Sequence, residues 1–116
     1  MGQLTTHVLD TVSGQPAGGM AWTLHRADEA GTKLASGRTN NDGRNDGPVL
    51  EGSNFSAGTY EFIFFAGDYF RDSGADLPEP AFLDRVVIRF GIADPASHYH
   101  VPLLVSPYGY STYRGS

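Results

Sequence analysis

The chain has 116 residues, and its eight lysines and arginines against thirteen aspartates and glutamates give a formal net charge of −5 with histidine neutral. This length suffices for one hydrophobic core, so we expect a single domain over residues 1–116. The acidic balance excludes a basic surface for nucleic acid or anionic lipid, and the absence of cysteine excludes disulfides, a thiolate nucleophile and cysteine-ligated metal.

Glycine and proline divide the chain into short apolar runs. Fifteen glycines and seven prolines fall between these runs, a spacing typical of strands joined by turns. Strands are predicted, in chain order, over residues 4–10, 20–26, 33–38, 58–65, 84–90, 99–105 and 110–113. Turns are predicted at residues 13–16 (Ser-Gly-Gln-Pro) and 40–43 (Asn-Asn-Asp-Gly), the second because Asp-Gly tolerates positive φ.

One short helix is predicted over residues 66–73, between the fourth and fifth strands. Tyr69 and Phe70 lie there among charged residues, and Gly74 and two prolines follow the segment. We therefore expect an all-β fold, a sandwich of two antiparallel sheets with one short helix.

The first residues and the apolar runs bear on location. Residues 1–7 lack the basic and apolar regions of a signal peptide. No apolar run of the sequence approaches a membrane-spanning length. The cytoplasm is therefore the expected location, with no membrane partner.

Side-chain alternation places histidines on apolar faces of the first and sixth predicted strands. In the first strand, Thr5, His7 and Leu9 share one face. An apolar stripe of the sixth strand is expected to face the core and comprises Tyr99, Val101, Leu103 and Val105. The opposite face of that strand carries His98, His100, Pro102 and Leu104. A face with histidine and leucine but no lysine or glutamate predicts an oligomer interface lined with histidine.

Other interpretations of these histidines remain open. His7, His98 and His100 are each also consistent with a half-buried histidine that has a satisfied hydrogen bond and no chemical role. His98 and His100 project the same way and could share a zinc or copper ion. A lone His-x-His is a weak signal for such a site, and no carboxylate of the strand completes it.

Two further segments carry polar side chains. Arg44 follows the Asp-Gly turn and is expected at the mouth of a strand, or else as a solvated arginine paired with Asp42 or Asp46. The last four residues, 113–116, bring a tyrosine, an arginine and a serine together with the terminal carboxylate. From composition alone, such a tail is expected to fray.

Four longer segments form a set: residues 4–11 (LTTHVLDT), 38–44 (RTNNDGR), 98–104 (HYHVPLL) and 106–116 (SPYGYSTYRGS). Together they resemble the 5-hydroxyisourate hydrolases, the enzymatic branch of the transthyretin family, and the resemblance runs the full length of the chain. Residues 113–116 are the most diagnostic element, because they separate the hydrolases from the hormone-carrying transthyretins. The resemblance implies a transthyretin-like (prealbumin) sandwich.

The resemblance also implies an activity. The reaction is hydrolysis of 5-hydroxyisourate to 2-oxo-4-hydroxy-4-carboxy-5-ureidoimidazoline, a step in the degradation of urate to allantoin. By the same resemblance the enzyme is a homotetramer with sites at a subunit interface, and it uses no metal or organic cofactor.

The family's functional groups fall, by resemblance, on His7, Arg44, His100 and Tyr113. His7, Arg44 and His100 are expected to be catalytic. The two histidines activate water and pass its proton to the departing ring nitrogen, and Arg44 stabilises the developing negative charge. His7, Arg44, Tyr113 and Ser116 are expected to bind substrate.

Two functions from other classes compete with this interpretation. The same fold carries small ligands without catalysis, although His7, Arg44 and His100 put titratable groups where an apolar ligand would want none. A metal-carrying or adhesive immunoglobulin-like module would use His98 and His100 as ligands. The resemblance instead makes His98 a bystander or a residue that lies behind His100.

Overall fold

The computed structural model describes residues 2–28 and 30–115, in which nine strands, one α-helix and one 3-10 turn follow each other. The strands are β1 (Gln3–Asp10), β2 (Gln15–Pro16), β3 (Ala21–Arg26), β4 (Lys33–Arg38), β5 (Leu50–Glu51), β6 (Gly58–Phe64), β7 (Val86–Ile92), β8 (Tyr99–Ser106) and β9 (Gly109–Thr112). The helix α1 is Ala66–Asp72, and the 3-10 turn is Gly52–Asn54. Every predicted strand and the predicted helix are present, with ends within two residues of the expected positions.

The strands form two sheets, and the sandwich expected from the sequence is confirmed. The first sheet has the order β2-β1-β8-β9, with β5 also paired to β1, and the second has the order β4-β3-β6-β7. All pairs are antiparallel except β1 with β8, which is parallel. The prediction of two antiparallel sheets is wrong for this one pair. All four strands of the second sheet lie between β1 and β8 in the sequence. The connection from β1 to β8 is therefore long, as parallel pairing requires.

The core lies between the two sheets and is built by strict alternation. Along β1 the even-numbered residues are buried and the odd-numbered residues are half-buried. The largest fully buried apolar side chains come from both sheets and are Leu4, Val8, Met20, Leu24, Tyr60, Phe62, Phe64, Val86, Ile92, Leu103 and Val105. Burial of each such side chain contributes about 1.5–3 kcal/mol. The strands that carry the predicted site residues are therefore anchored by their inner faces.

The two predicted turns differ in outcome. The turn at residues 40–43 is confirmed: Gly43 has a φ of +76°, and a Cβ there would collide with the carbonyl oxygen of Val8. The turn predicted at residues 13–16 is wrong in its second half, because Gln15 and Pro16 form β2 and pair with β1. The carboxylate of Asp10 accepts the amide of Val12, which closes the hairpin earlier than the sequence predicts.

A part-buried hydrogen bond between side chains joins helix α1 to the first sheet. The Tyr69 hydroxyl donates to Oδ2 of Asp10 at 2.9 Å, and Asp10 is 5% exposed. Burial, with the adjacent Asp10 carboxylate, raises the pKa of Tyr69 to about 12. No helix in residues 2–28 and 30–115 is long and apolar enough to cross a membrane.

Candidate active site

Strand register brings the predicted site residues onto the outer face of the first sheet, the face turned away from the core. The parallel pairing of β1 with β8 sets Thr5 beside His100 and His7 beside Pro102. An antiparallel bridge between His7 and Arg44 places the 40–44 turn on the other side of β1. Because neighbouring strands lie about 4.8 Å apart, groups from three distant segments of the sequence meet on one surface.

The 40–44 turn holds Arg44 at the edge of β1. The side-chain oxygen of Asn40 accepts the amides of Asp42 at 2.9 Å and Arg44 at 3.1 Å, and the amide of Val8 donates to the carbonyl of Gly43 at 2.7 Å. Nε of Arg44 donates to Oδ2 of Asp42 at 2.9 Å. The pairing with Asp42 and the position at the strand are thus both confirmed. Within the described part of the chain the two terminal amino groups of Arg44 make no hydrogen bond, which leaves them for a ligand.

His100 is half-buried and is held on three sides. Its Nδ1 lies 2.8 Å from Oγ1 of Thr5, and its carbonyl accepts the amide of Gly115 at 2.8 Å. Gly115 packs so closely on the ring that an added Cβ would lie 2.6 Å from Cδ2 of His100. Burial first, then the positive charges of Arg44, His7 and His98, lowers the pKa of His100 below 6.5. His100 is therefore neutral at pH 7, with Nε2 directed away from Thr5.

His7 lies next to Arg44 and is half-buried in the single chain. Its Nε2 is buried and makes no hydrogen bond with residues 2–28 or 30–115. A buried ring nitrogen without a partner costs free energy and is more frequent at functional sites than elsewhere. The structure therefore brings together His7, Arg44 and His100, each with nitrogen atoms that have no hydrogen-bond partner among the described residues.

Comparisons with known proteins bear on what this face does. A family model described as "HIUase/Transthyretin family" matches residues 4–115. The chain belongs to the HIUase/Transthyretin family.

Three similar proteins place the chain within that family. A protein of Rhizobium meliloti (strain 1021) named "5-hydroxyisourate hydrolase 2" is 61% identical over 116 residues, which cover 99% of this chain and 97% of that protein. A crystal structure of (S)-allantoin synthase is 50% identical with a TM-score of 0.94, and the match covers 99% of this chain but 44% of that one. A crystal structure of transthyretin from Sparus aurata is 27% identical with a TM-score of 0.86, covering 99% and 97% of the two chains. The fold is therefore common to members with different names.

The tail that resembles the hydrolase branch of the HIUase/Transthyretin family is ordered where the structure describes it. The register of β8 with β9 continues through the bridge of His100 with Gly115, so Tyr113 stands opposite Pro102 on the outer face. On the other face, the guanidinium of Arg114 lies 4.1 Å from the centre of the Tyr99 ring. The expectation from composition that residues 113–115 fray is wrong, because these contacts hold them.

Tyr113 and Ser116 have a weaker connection to the site. Tyr113 is 62% exposed, and it also borders a cavity of about 230 Å³ beside Phe90 and Tyr99. No hydrogen bond of the described residues joins it to His7 or His100. Ser116, the other predicted substrate-binding residue, lies outside the described residues. The role of both residues stays a prediction.

The structure adds Thr5 to the candidate site, a residue that the sequence analysis does not single out. Its hydroxyl contacts Nδ1 of His100 at 2.8 Å and Nε2 of His98 at 3.2 Å. Alternation puts Thr5 on the face of His7, but only the pairing of β1 with β8 shows that this face adjoins His100. His98 is exposed and lies just before β8. Its ring contacts the Thr5 hydroxyl.

A metal site at His98 and His100 finds no third ligand among the described residues. In residues 2–28 and 30–115, no group of three or more histidine, aspartate or glutamate side chains is placed to hold a metal ion. His98 and His100 direct one nitrogen each at the same threonine hydroxyl.

Proposed function

We propose that this chain hydrolyses 5-hydroxyisourate to 2-oxo-4-hydroxy-4-carboxy-5-ureidoimidazoline at the outer face of the first sheet, with His7, Arg44 and His100 as catalytic residues. One observation carries this assignment. Two imidazoles and one guanidinium converge from β1, the 40–44 turn and β8, and each keeps nitrogen atoms without a hydrogen-bond partner in residues 2–28 and 30–115. The 61% identity to a full-length relative that bears the hydrolase name supports the same activity.

The two histidines activate water and manage its proton. A neutral imidazole takes one proton as the water oxygen attacks the ring carbonyl carbon. The carbon–nitrogen bond then breaks, the departing nitrogen receives a proton, and the carbonyl becomes a carboxylate. His100 suits the first step because it is neutral at pH 7. His7 lies on the neighbouring strand and suits the transfer to the departing nitrogen.

Arg44 stabilises the negative charge that develops on the attacked carbonyl. A guanidinium offers a planar pair of donors that match a carbonyl or ureide edge, which a lysine ammonium does not. The ion pair with Asp42 uses only Nε and fixes the plane of the group. Preorganised donors of this kind give a large share of the rate in acyl transfer.

Tyr113 and Ser116 are proposed to bind substrate at the tail side of the site. The support is positional: Tyr113 stands opposite Pro102, which in turn lies beside His7. The close packing of Gly115 on the His100 ring joins the tail directly to a catalytic group.

Assembly into a homotetramer is proposed to cover the outer face and complete the site. This face carries Leu9, Pro102 and Leu104 and no charged side chain from β1 or β8, which is typical of a surface between subunits. Light scattering is expected to give four times the 12.5 kDa chain. A monomer with full activity would contradict this assembly.

Metal independence and a cytoplasmic location are proposed as well. Neither of the catalytic roles above needs a metal ion, since a histidine supplies the base and an arginine the charge stabilisation. Activity is expected to survive dialysis against a strong chelator, and recovery only on addition of zinc would contradict the proposal.

The direct test generates 5-hydroxyisourate with a urate oxidase and follows its ultraviolet absorbance with and without the protein. The substrate decays unaided, so the protein-free sample sets the baseline. Accelerated decay, with formation of a product heavier by one water, is the expected result. Decay equal to the baseline would contradict the hydrolase assignment, and binding of an aromatic ligand without turnover would favour the carrier function.

A further inference from the structure

Thr5 joins two histidines through a single hydroxyl. Its Oγ1 lies 2.8 Å from Nδ1 of His100 and 3.2 Å from Nε2 of His98, and it has no other hydrogen-bond partner in residues 2–28 and 30–115. A hydroxyl donates one proton and accepts others. In a fully bonded chain of neutral rings, Thr5 therefore donates to one imidazole and accepts from the other.

Because the Thr5 hydroxyl has only one proton to donate, the proton positions on the two imidazole rings depend on each other. If Thr5 donates to His100, the neutral His100 carries its proton on Nε2 and His98 donates through its own Nε2. If Thr5 donates to His98, His100 carries its proton on Nδ1 and presents a basic Nε2. Only the second arrangement persists when His100 becomes an imidazolium, because its Nδ1 then always bears a proton.

The two histidines that Thr5 joins differ in their access to solvent. His100 is half-buried beneath Gly115, whereas His98 is exposed. In residues 2–28 and 30–115, the charged or titratable groups that act on His100 are His7 from β1, Arg44 from the 40–44 turn and His98, all of them basic. A proton left on His100 therefore has no carboxylate among these neighbours to receive it, but it has a bonded path to an exposed imidazole.

We propose that Thr5 and His98 form a proton relay that connects Nδ1 of His100 to solvent. The role of His100 in this proposal rests on the proposed function. Opening of a neutral cyclic amide at neutral pH yields a carboxylate, so one proton leaves the site per turnover. While product covers Nε2 of His100, Nδ1 of the imidazolium gives its proton to Oγ1 of Thr5, the Thr5 hydroxyl proton passes to Nε2 of His98, and His98 releases a proton from Nδ1 to water. The proton taken from the attacking water is then still on Nε2 of His100. After product release, Nε2 gives this proton to water, His98 takes a proton from water on Nδ1, and the chain of hydrogen bonds shifts back, which restores Nδ1–H and the basic Nε2 of His100 with one proton released net. Thr5 and His98 are thus positioning and relay residues that do not touch substrate.

The variants test separately the hydrogen bonds of the Thr5 hydroxyl and the ability of His98 to take up and release a proton. Thr5→Val removes the hydroxyl with little change in shape, and Thr5→Ser restores it. His98→Gln keeps a hydrogen-bonding group but does not titrate. The matched controls are Thr23→Val and His25→Gln, since Nε2 of His25 lies 3.0 Å from Oγ1 of Thr23 on the second sheet, in the same type of bond.

In weakly buffered solution, Thr5→Val and His98→Gln are expected to lower kcat about tenfold with KM within about twofold of wild type, as the loss of one hydrogen-bonded relay step allows. Added imidazole is expected to restore His98→Gln, because a small buffer carries protons in place of the side chain. Thr5→Ser is expected to recover most of kcat, and the two controls are expected to match wild type. A wild-type kcat for His98→Gln at low buffer, or no response of this variant to imidazole, would overturn the relay.

A second readout needs no substrate. Nitrogen chemical shifts of the His100 ring report which nitrogen carries the proton, and Thr5→Val is expected to change them while Thr23→Val leaves them unchanged. Identical His100 shifts in wild type and Thr5→Val would overturn the coupling. If the wild-type protein failed to hydrolyse 5-hydroxyisourate, the proposed function would fail, and these shifts would still decide whether the chain of hydrogen bonds sets the protonation of His100.

Discussion

Each sheet of the sandwich carries a histidine bonded to a threonine hydroxyl, and only one of these pairs lies in the candidate active site. On the first sheet Thr5 bonds His100, and on the second Thr23 bonds His25 at 3.0 Å. His25 also bonds the carbonyl of Gly31 at 3.1 Å, so the fold uses both of its ring nitrogens. Among the described residues, only Nδ1 of the His100 ring has a hydrogen-bond partner. The hydrogen bond itself therefore does not indicate function, whereas the unused nitrogen does.

The surroundings of the two pairs differ in the same direction. In the register of the second sheet His25 stands beside Lys33 and Glu61, and Glu61 pairs with Arg89 at 3.4 Å. That outer face is an ordinary solvated surface. On the first sheet, His100 stands among uncharged strand residues and one arginine from a turn. The outer face of the first sheet thus has few charged groups and, among the described residues, ring nitrogens without a partner, which supports the proposal that the site lies there.

The largest expected effect tests the first-sheet histidines directly. His7→Ala and His100→Ala are each expected to lower kcat/KM about 10²–10⁴-fold, because each removes an acid–base group. The double variant is expected to lose little more than either single one if the two act as a unit. Kinetics of the three variants measure this, and losses that multiply would show that the histidines act independently.

Arg44→Lys is expected to lower kcat about 10²–10³-fold, the usual cost of removing an oxyanion donor. The change keeps the positive charge, so a loss isolates the planar donor geometry. Arg38→Lys is the matched control, since Arg38 lies on the second sheet and bonds the carbonyl of Gly19. Equal activity of Arg44→Lys and wild type would show that charge alone suffices.

The tail is expected to affect turnover because Gly115 packs on the ring of His100. Removal of residues 113–116 is expected to abolish turnover without loss of assembly, and Gly115→Ala is expected to lower kcat about tenfold by displacing the His100 ring. Gly91→Ala is the control, because a Cβ there meets nothing within 4 Å. Full activity of the truncated chain would remove Tyr113 and Ser116 from the site.

The pH dependence of activity follows from His100. Its pKa is lowered from 6.5 by burial and by Arg44, His7 and His98, so the basic form persists at pH 6.5 and is lost only at lower pH. The acid limb of kcat/KM is therefore expected below pH 6.5, with about a tenfold loss per pH unit beyond it. Because the unfolded chain takes up this proton first, stability also falls as the pH drops below 6.5. An acid limb above pH 6.5 would contradict the assignment of His100.

The smallest expected effect on activity comes from a part-buried polar contact that belongs to neither histidine–threonine pair. Tyr69→Phe leaves Oδ2 of Asp10 without its donor and is expected to lower the free energy of unfolding by about 1–3 kcal/mol. Turnover of the folded protein is expected to stay unchanged. Denaturant unfolding and the decay assay measure the two quantities, and a loss of turnover without a loss of stability would place Tyr69 in the catalytic machinery.

Much of this arrangement could be predicted from the sequence, and the limits have physical causes. Alternation was sufficient to put His7 and His100 on outer faces, and the Asp-Gly pair was sufficient to locate the turn before Arg44. Strand pairing was not predictable, since nothing in the spacing shows that residues 3–10 and 99–106 are parallel neighbours. The role of Thr5 depends on that pairing. The two-residue strands β2 and β5 were missed because so short a segment has no periodicity.

The most direct measurement compares the two threonine-bonded histidines in one assay. 5-Hydroxyisourate generated by a urate oxidase is followed by its absorbance in the presence of wild type, His100→Ala, His25→Ala or no protein. The expected result is wild-type decay for His25→Ala and decay near the protein-free baseline for His100→Ala. Equal losses in the two variants, or full activity of His100→Ala, would contradict the location of the active site on the outer face of the first sheet.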